Sequence, residues 1–207
     1  MKFTLAYYIL VLLLLANEAF AGGNEVGNGG DAIVCSQKVE LFDFFEAKML
    51  KRQIIQLPKG KDPFEVAKKT IQRLKKLNPQ LERQYLQVLK SFKTRIKFID
   101  KVGFRDVKDS FEVAIPEGCK LEQAAIQQLD SGKRLVRISK KIWDKLSPAH
   151  RAGLILHEII YEHFIFLGEK NSIKARKFNS LLSSKEILSF GKKEYLKYVR
   201  KLRVPIY

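Results

Sequence analysis

Apolar positions along the chain fall mostly at helical spacing. Leu41, Phe44, Phe45 and Leu50 form a stripe that predicts a helix from about Val39 to Leu57. Asp62-Pro63 supplies a cap and a first-turn proline for a second helix, with Phe64, Ala67, Ile71 and Leu74 on its apolar side. Asn78-Pro79 opens a third in the same way, with Leu81, Tyr85, Val88 and Leu89. The period then shortens. Ile96–Ile99 and Phe111–Ile115 read as short strands. Ala124–Leu129 and Arg134–Ser139 flank Asp130-Ser131-Gly132-Lys133 and predict a hairpin, with Leu135/Arg137 and Val136/Ile138 on opposite faces. Ile142–Leu146 reads as a short helix, and Ser147-Pro148 opens a long apolar one that ends at Gly168. Asn171-Ser172 caps another, carrying Phe178, Leu181 and Leu182. A last helix is expected from about Ser184 to Leu202, with Tyr195, Leu196, Val199 and Leu202 on its apolar side. The pattern predicts an α+β fold, mostly helical, with a small antiparallel sheet packed on the long apolar helix.

The first 21 residues stand outside this pattern. Lys2 precedes an apolar run from Leu5 to Ala16, too short to span a bilayer comfortably, and Ala19-Phe20-Ala21 matches an A-x-A cleavage site. Residues 1–21 read as a signal peptide, which places the protein in a secreted or periplasmic compartment. Gly22 is not a cysteine, so a lipid-anchored form is not expected. The following segment, residues 22–34, is glycine-rich and reads as flexible. About 186 residues remain after cleavage, the size of one domain, assigned to residues 35–207.

Export changes the reading of the cysteines. Cys35 and Cys119 are the only two, and an oxidising compartment favours a disulfide between them. The net charge of +17 favours polyanionic partners, among them anionic envelope components, with nucleic acid only as a nonspecific polyanion. Basic residues concentrate in the helical third: Lys68, Lys69, Arg73, Lys75, Lys76, Arg83, Lys90, Lys93, Arg95 and Lys97.

The candidate chemistry lies in the long apolar helix, at Leu156-His157-Glu158-Ile159-Ile160-Tyr161. Polar groups in such a run cost several kcal/mol unless partnered. One reason to keep them is a metal helix of the H-E-x-x-H kind, with Tyr161 where the second histidine belongs. At about 100° per residue Tyr161 faces the same way as His157, whereas His163 is about 240° round and drops out as a substitute ligand. His150 shares the face but lies roughly 10 Å up the axis. Tyrosine, with a pKa near 10, is a poor neutral-pH ligand. Asp43, Glu46 or Glu162 could complete a carboxylate-rich site. A metal-free alternative has Glu158 orienting His157 as base and Tyr161 as acid, with Ser172 or Ser180 as nucleophile. The structural alternative is a buried hydrogen-bonded cluster of His157, Glu158 and Tyr161 with Arg176 or Asn179. Polar residues lining a ligand pocket are a further alternative. Asp43 and Glu46, three apart, share a helix face, where solvated charge or pairing with lysines is the common outcome.

The chain resembles a family of secreted bacterial proteins with no established activity. The likeness rests on Gly-Gly-Asn-Glu-Val-Gly-Asn-Gly-Gly-Asp at 22–31, Val34-Cys35, Leu41–Ala47, Gly118–Gln123, Trp143, the internal H-E-x-x-Y at 157–161, Asn171-Ser172, Arg176 and Phe178-Asn179. A looser likeness, over about residues 134–168, is to zincin-type metallopeptidases, in which an edge strand binds substrate ahead of the metal helix. It implies His157 as a metal ligand, with zinc as the metal, and Glu158 as general base; it departs at Tyr161. Two function classes follow. One is a zincin-like, degenerate metallohydrolase acting on peptide or cell-wall material, with His157, Glu158 and Tyr161 as catalytic residues. The other is a non-catalytic cationic protein that binds envelope or other polyanions.

Overall fold

The computed structural model describes residues 25–100, 113–130 and 133–206. The chain enters through two short strands, β1 (Glu25–Asn28) and β2 (Asp31–Val34), and turns at Cys35–Lys38 into β3 (Val39–Leu41) and helix α1 (Phe42–Lys51). Helix α2 (Pro63–Ile71) runs through a 3-10 turn at Gln72–Lys76 towards α3 (Pro79–Arg95), which passes directly into β4 (Ile96–Ile99). Strands β5 (Lys120–Gln123), β6 (Ala125–Asp130) and β7 (Lys133–Ser139) follow, then helices α4 (Lys140–Lys145), α5 (Pro148–Phe166) and α6 (Ile173–Ser183). A 3-10 turn at Glu186–Ser189 precedes the closing helix α7 (Lys192–Leu202). The fold is α+β, as the hydrophobic pattern predicts.

Local chemistry sets the helix starts. The Asp62 carboxylate accepts from the Phe64 N–H at 2.9 Å, the Asn78 side chain from Leu81 at 3.3 Å and the Ser147 hydroxyl from His150 at 3.3 Å. A proline follows each cap, at a position where a missing N–H costs nothing. Helix α5 has no polar stripe wide enough to face water. It is buried on nearly all sides, against α2, α3, α6, β3 and β6.

The strands form two sheets. One has the order β3-β2-β5 and is antiparallel throughout; the other has the order β1-β6-β7-β4. The expected hairpin is present, with Asp130 opposite Lys133 and with Val136 and Ile138 turned into the core. Its turn residues, Ser131 and Gly132, lie outside the described residues. Strand β4 departs from the antiparallel expectation: it pairs parallel with β7, Ile96 opposite Val136. Parallel pairing needs a long crossover, and the chain between β4 and β7, which contains β5 and β6, provides it. The disulfide joins Cys35, at the end of β2, to Cys119, ahead of β5.

Several boundaries differ from the sequence reading. The first helix ends at Lys51, where Arg52 turns left-handed, and not near Leu57. Val39–Leu41 is strand rather than helix, because each residue pairs with β2 and all three are buried. Val113–Ile115 are not in a strand; Phe111 and Glu112 lie outside the described residues. The final helix begins only at Lys192, because a 3-10 turn and the extended Phe190 interrupt the stretch from Ser184. The glycine-rich stretch expected to be flexible is strand at Glu25–Asn28 and Asp31–Val34, held by pairing to β6, β3 and β5. The proposed signal peptide, residues 1–21, lies outside the described residues. Among the described residues no helix is long and apolar enough to cross a membrane.

Candidate functional site: a buried ion-pair cluster on helix α5

Close approach of α1 to α5 builds the site. Gly153 lies one turn before His157 on the same face of α5. A Cβ at Gly153 would sit 2.4 Å from Phe44 Cζ and 2.7 Å from Leu41 Cδ2, so only glycine lets α1 come this near. Asp43, in the first turn of α1, thereby reaches the imidazole. Its carboxylate oxygens lie 2.8 and 3.1 Å from His157 Nδ1, and both residues have no exposed surface.

Helix α6 completes the cluster. Asn179 Nδ2 donates to Asp43 Oδ2 at 2.6 Å and to the Gly153 carbonyl at 3.0 Å, tying three helices at one point. Ser180 Oγ donates to the backbone carbonyls of Asp43 and Arg176. Arg176, 1 % exposed, forms a two-pronged pair with Glu46: Nε to Oε2 at 3.0 Å and an Nη2 to Oε1 at 3.2 Å. The same guanidinium donates to Ser172 Oγ and lies over the Phe42 ring. Asp43 and Glu46 do share a helix face, but they are buried and pair with His157 and Arg176 rather than with lysines or solvent.

Burial alone would neutralise both members of the first pair. Against it, the Asp43 charge and hydrogen bond, with smaller contributions from Glu158 and Asp31, push the His157 pKa up to about 9. Burial likewise raises Asp43, but His157, Asn179 and Arg176 outweigh it and hold that carboxyl below its ordinary range. At neutral pH the pair is imidazolium and carboxylate.

Glu158 points about 100° round α5 from His157. Its Oε1 accepts the Gly30 N–H at 2.6 Å and its Oε2 accepts from Gln127 Nε2 at 2.9 Å. Gly30 is held from its other side too, its carbonyl accepting from Ala124 and Ala125 at 2.9 and 3.0 Å. A Cβ on Gly30 would lie 2.5 Å from Leu154 Cδ1, and one on Gly29 would lie 2.1 Å from the Ala125 carbonyl oxygen. The glycine pair is thus the segment that fits between β6 and α5. Burial raises the Glu158 pKa, offset in part by His157, Gly30 and Gln127.

Of the residues singled out in the sequence, His157, Asn179, Arg176, Asp43 and Glu46 meet in one network, and Glu158 joins from the neighbouring face without bonding to His157. Tyr161 is buried, its ring centroid 5.9 Å from that of His157. Glu162 is elsewhere, paired with Arg95 at 2.9 Å. His163 contacts the Tyr85 hydroxyl at 2.9 Å, and burial lowers its pKa. His150 accepts the Leu41 N–H on Nδ1 at 3.1 Å; burial, with Lys48 and Lys38 nearby, lowers its pKa to about 4. Gly30 and Gln127 carried no sign of their role in the sequence.

The residues do not fit a resident zinc ion. Among the described residues no group of three or more His, Cys, Asp and Glu side chains could hold a metal. Both Glu158 oxygens already accept hydrogen bonds, and Asp43 is committed to His157 Nδ1 and Asn179. His157 Nε2 is buried and has no hydrogen-bond partner among the described residues, but in the imidazolium it carries a proton and offers no lone pair to a metal.

The ion pair makes stability depend on pH. The folded His157 pKa, about 9, lies above the unfolded value of 6.5. Its contribution is therefore fully present below pH 6.5 and is lost as the pH rises through 9, amounting to roughly 3 kcal/mol. Urea denaturation from pH 6 to 10 is expected to show this decline, and Asp43→Asn is expected to abolish it. A flat profile in the native protein, with no imidazole titrating near pH 9 by NMR, would contradict the ionised pair.

Gly30→Ala is expected to destabilise the fold by about 1–3 kcal/mol through overpacking against Leu154. The urea midpoint measures it, and an unchanged midpoint would mean that the glycine strand is not seated between β6 and α5.

Comparison of the chain with protein-family models, curated proteins and solved structures finds no match.

Proposed function

We propose that this is an exported cationic protein that binds polyanionic envelope material through its lysine-rich helices, with the His157 cluster holding the fold. One observation carries the reading. Between Val66 and Lys97 the side chains of Lys68, Lys69, Lys75, Lys76, Arg83, Lys90, Lys93 and Lys97 are exposed, and the one carboxylate of that stretch, Glu82, is buried. Such a surface attracts phosphate- or carboxylate-bearing polymers over about a Debye length, ~10 Å at 0.1 M salt. The disulfide supports an oxidising compartment. The complete burial of His157, Asp43 and Glu158 supports a structural role, since a general base must come within hydrogen-bond reach of its substrate.

Retention on heparin, and association with vesicles containing anionic lipid, are expected to fall steeply between 50 and 300 mM salt. Charge reversal at Lys69, Lys75, Lys76 and Arg83 is expected to weaken both ~10-fold or more, since several contacts are lost together. Salt-insensitive binding, or none, would refute the proposal.

The metallohydrolase reading keeps one observation in its favour. His157 presents Nδ1 to a carboxylate and leaves Nε2 without a partner, the orientation of a metal-bound histidine, although the imidazolium would have to lose its Nε2 proton to bind. On that reading His157 is the metal ligand and Glu158 the general base. Elemental analysis decides it: stoichiometric zinc in the purified protein, lost in His157→Ala, supports the hydrolase, and a folded protein without zinc excludes it.

A further inference from the structure

A groove on the helical surface combines an apolar floor with a cationic rim. It lies between α2 and α3, has a volume of about 450 Å³, and is floored by Phe64, Leu86 and Leu89. Lys68, Lys90 and Lys93 stand around it. On α3, Leu86, Leu89, Lys90 and Lys93 recur at i, i+3, i+4 and i+7, so they form one stripe; on α2, Phe64 and Lys68 are one turn apart. Leu89 is buried, whereas Phe64 and Leu86 remain partly open to solvent.

We propose that this groove binds an anionic lipid, with the acyl chain on Phe64, Leu86 and Leu89 and the headgroup among the three lysines. The proposal rests on the cationic-binder reading and names its ligand class. Charge complementarity points to an anion. Among the described residues neither Lys90 nor Lys93 has a carboxylate within ion-pair distance, and Lys93 lies over the Phe64 ring, 4.6 Å from its centroid. The one acidic group at the rim, Glu65, reaches Lys68 only at 3.8 Å, with both side chains about half exposed. Such a pair is weak and screened, so the rim keeps its positive excess.

The floor selects the lipid from other anions. A polyphosphate or an acidic polysaccharide would satisfy the lysines but leave Phe64 and Leu86 in contact with water. An acyl chain covers them, and the methylene stems of Lys90 and Lys93 extend the apolar wall. The volume falls within the ≈ 300–1,000 Å³ common to small-molecule sites. A second basic groove, at Lys75, Lys76, Leu77 and Phe190, is smaller, at about 280 Å³.

Calorimetric titration of the disulfide-bonded protein with dodecyl phosphate, kept below its micelle concentration, tests the proposal. Saturable binding to one site is expected, with inorganic phosphate ~10-fold or more weaker and dodecyltrimethylammonium not competing. Lys90→Ala with Lys93→Ala, and separately Leu86→Gln, are each expected to weaken dodecyl phosphate ~10-fold or more. Leu86→Gln should leave heparin retention unchanged. Lys90 and Lys93 are exposed and Leu86 is partly so, and circular dichroism verifies folding of the variants. Inorganic phosphate binding as tightly as dodecyl phosphate, or Leu86→Gln without effect, would overturn the acyl groove. If dodecyl phosphate fails while heparin still binds, the groove proposal falls alone. If heparin fails too, the cationic-binder reading falls with it.

Discussion

The buried pair of His157 and Asp43 is the constraint around which the helices are arranged. Taking two charges out of water costs several kcal/mol per ion, and their attraction repays that only with good geometry and satisfied remaining lone pairs. Both conditions bear on the packing here. Asp43 reaches His157 because Gly153 lets α1 approach α5, and its second oxygen is satisfied because Asn179 enters from α6. The pair thus dictates the relative placement of three helices. The pair also disfavours other arrangements, because a misplaced helix would strand a charge in the core, whereas an apolar contact tolerates sliding.

The same logic extends along α1 and α6. Asp43 and Glu46 are one turn apart, as are Arg176 and Ser180, so two polar contacts interlock in register between the same two helices. A shift of one residue would break both at once. On the neighbouring face of α5, Glu158 repeats the device with the backbone. It captures the Gly30 N–H while β6 captures the Gly30 carbonyl, and the disulfide at Cys35 closes the same N-terminal segment onto β5. Polar groups in this core act as clamps between segments distant in sequence.

Legibility in the sequence followed the range of the interaction. Helix starts at Asp62-Pro63, Asn78-Pro79 and Ser147-Pro148 are local chemistry, and each is observed as read. The hairpin of β6 and β7 was legible for the same reason. Val39–Leu41 was misread because its strand character comes from pairing with β2, while its apolar spacing continues that of the helix behind it. The site was half legible. Buried His157 and Glu158 announced themselves by their apolar surroundings, and Arg176 and Asn179 stood out as candidate partners. Asp43 and Glu46 were visible as a shared face but not as buried, since burial depends on Gly153, 110 residues after Asp43. Gly29 and Gly30 looked like flexible composition. Here the missing side chains are what admits the strand, and no local pattern distinguishes that use of glycine from a mobile linker.

The chain keeps two populations of charge that serve different ends. Inside, Asp43 with His157 and Glu46 with Arg176 cancel, so the core carries no net charge from these pairs and can stay dry. Outside, α2 and α3 expose lysines with few carboxylates to neutralise them, which costs stability through self-repulsion. A surface that repels itself is retained more readily if a partner relieves the repulsion. Internal clamps among α1, α5 and α6 hold the helices in register from within. The His-Glu sequence that resembles a protease signature is, on this view, part of the frame that carries the lysine-rich helices.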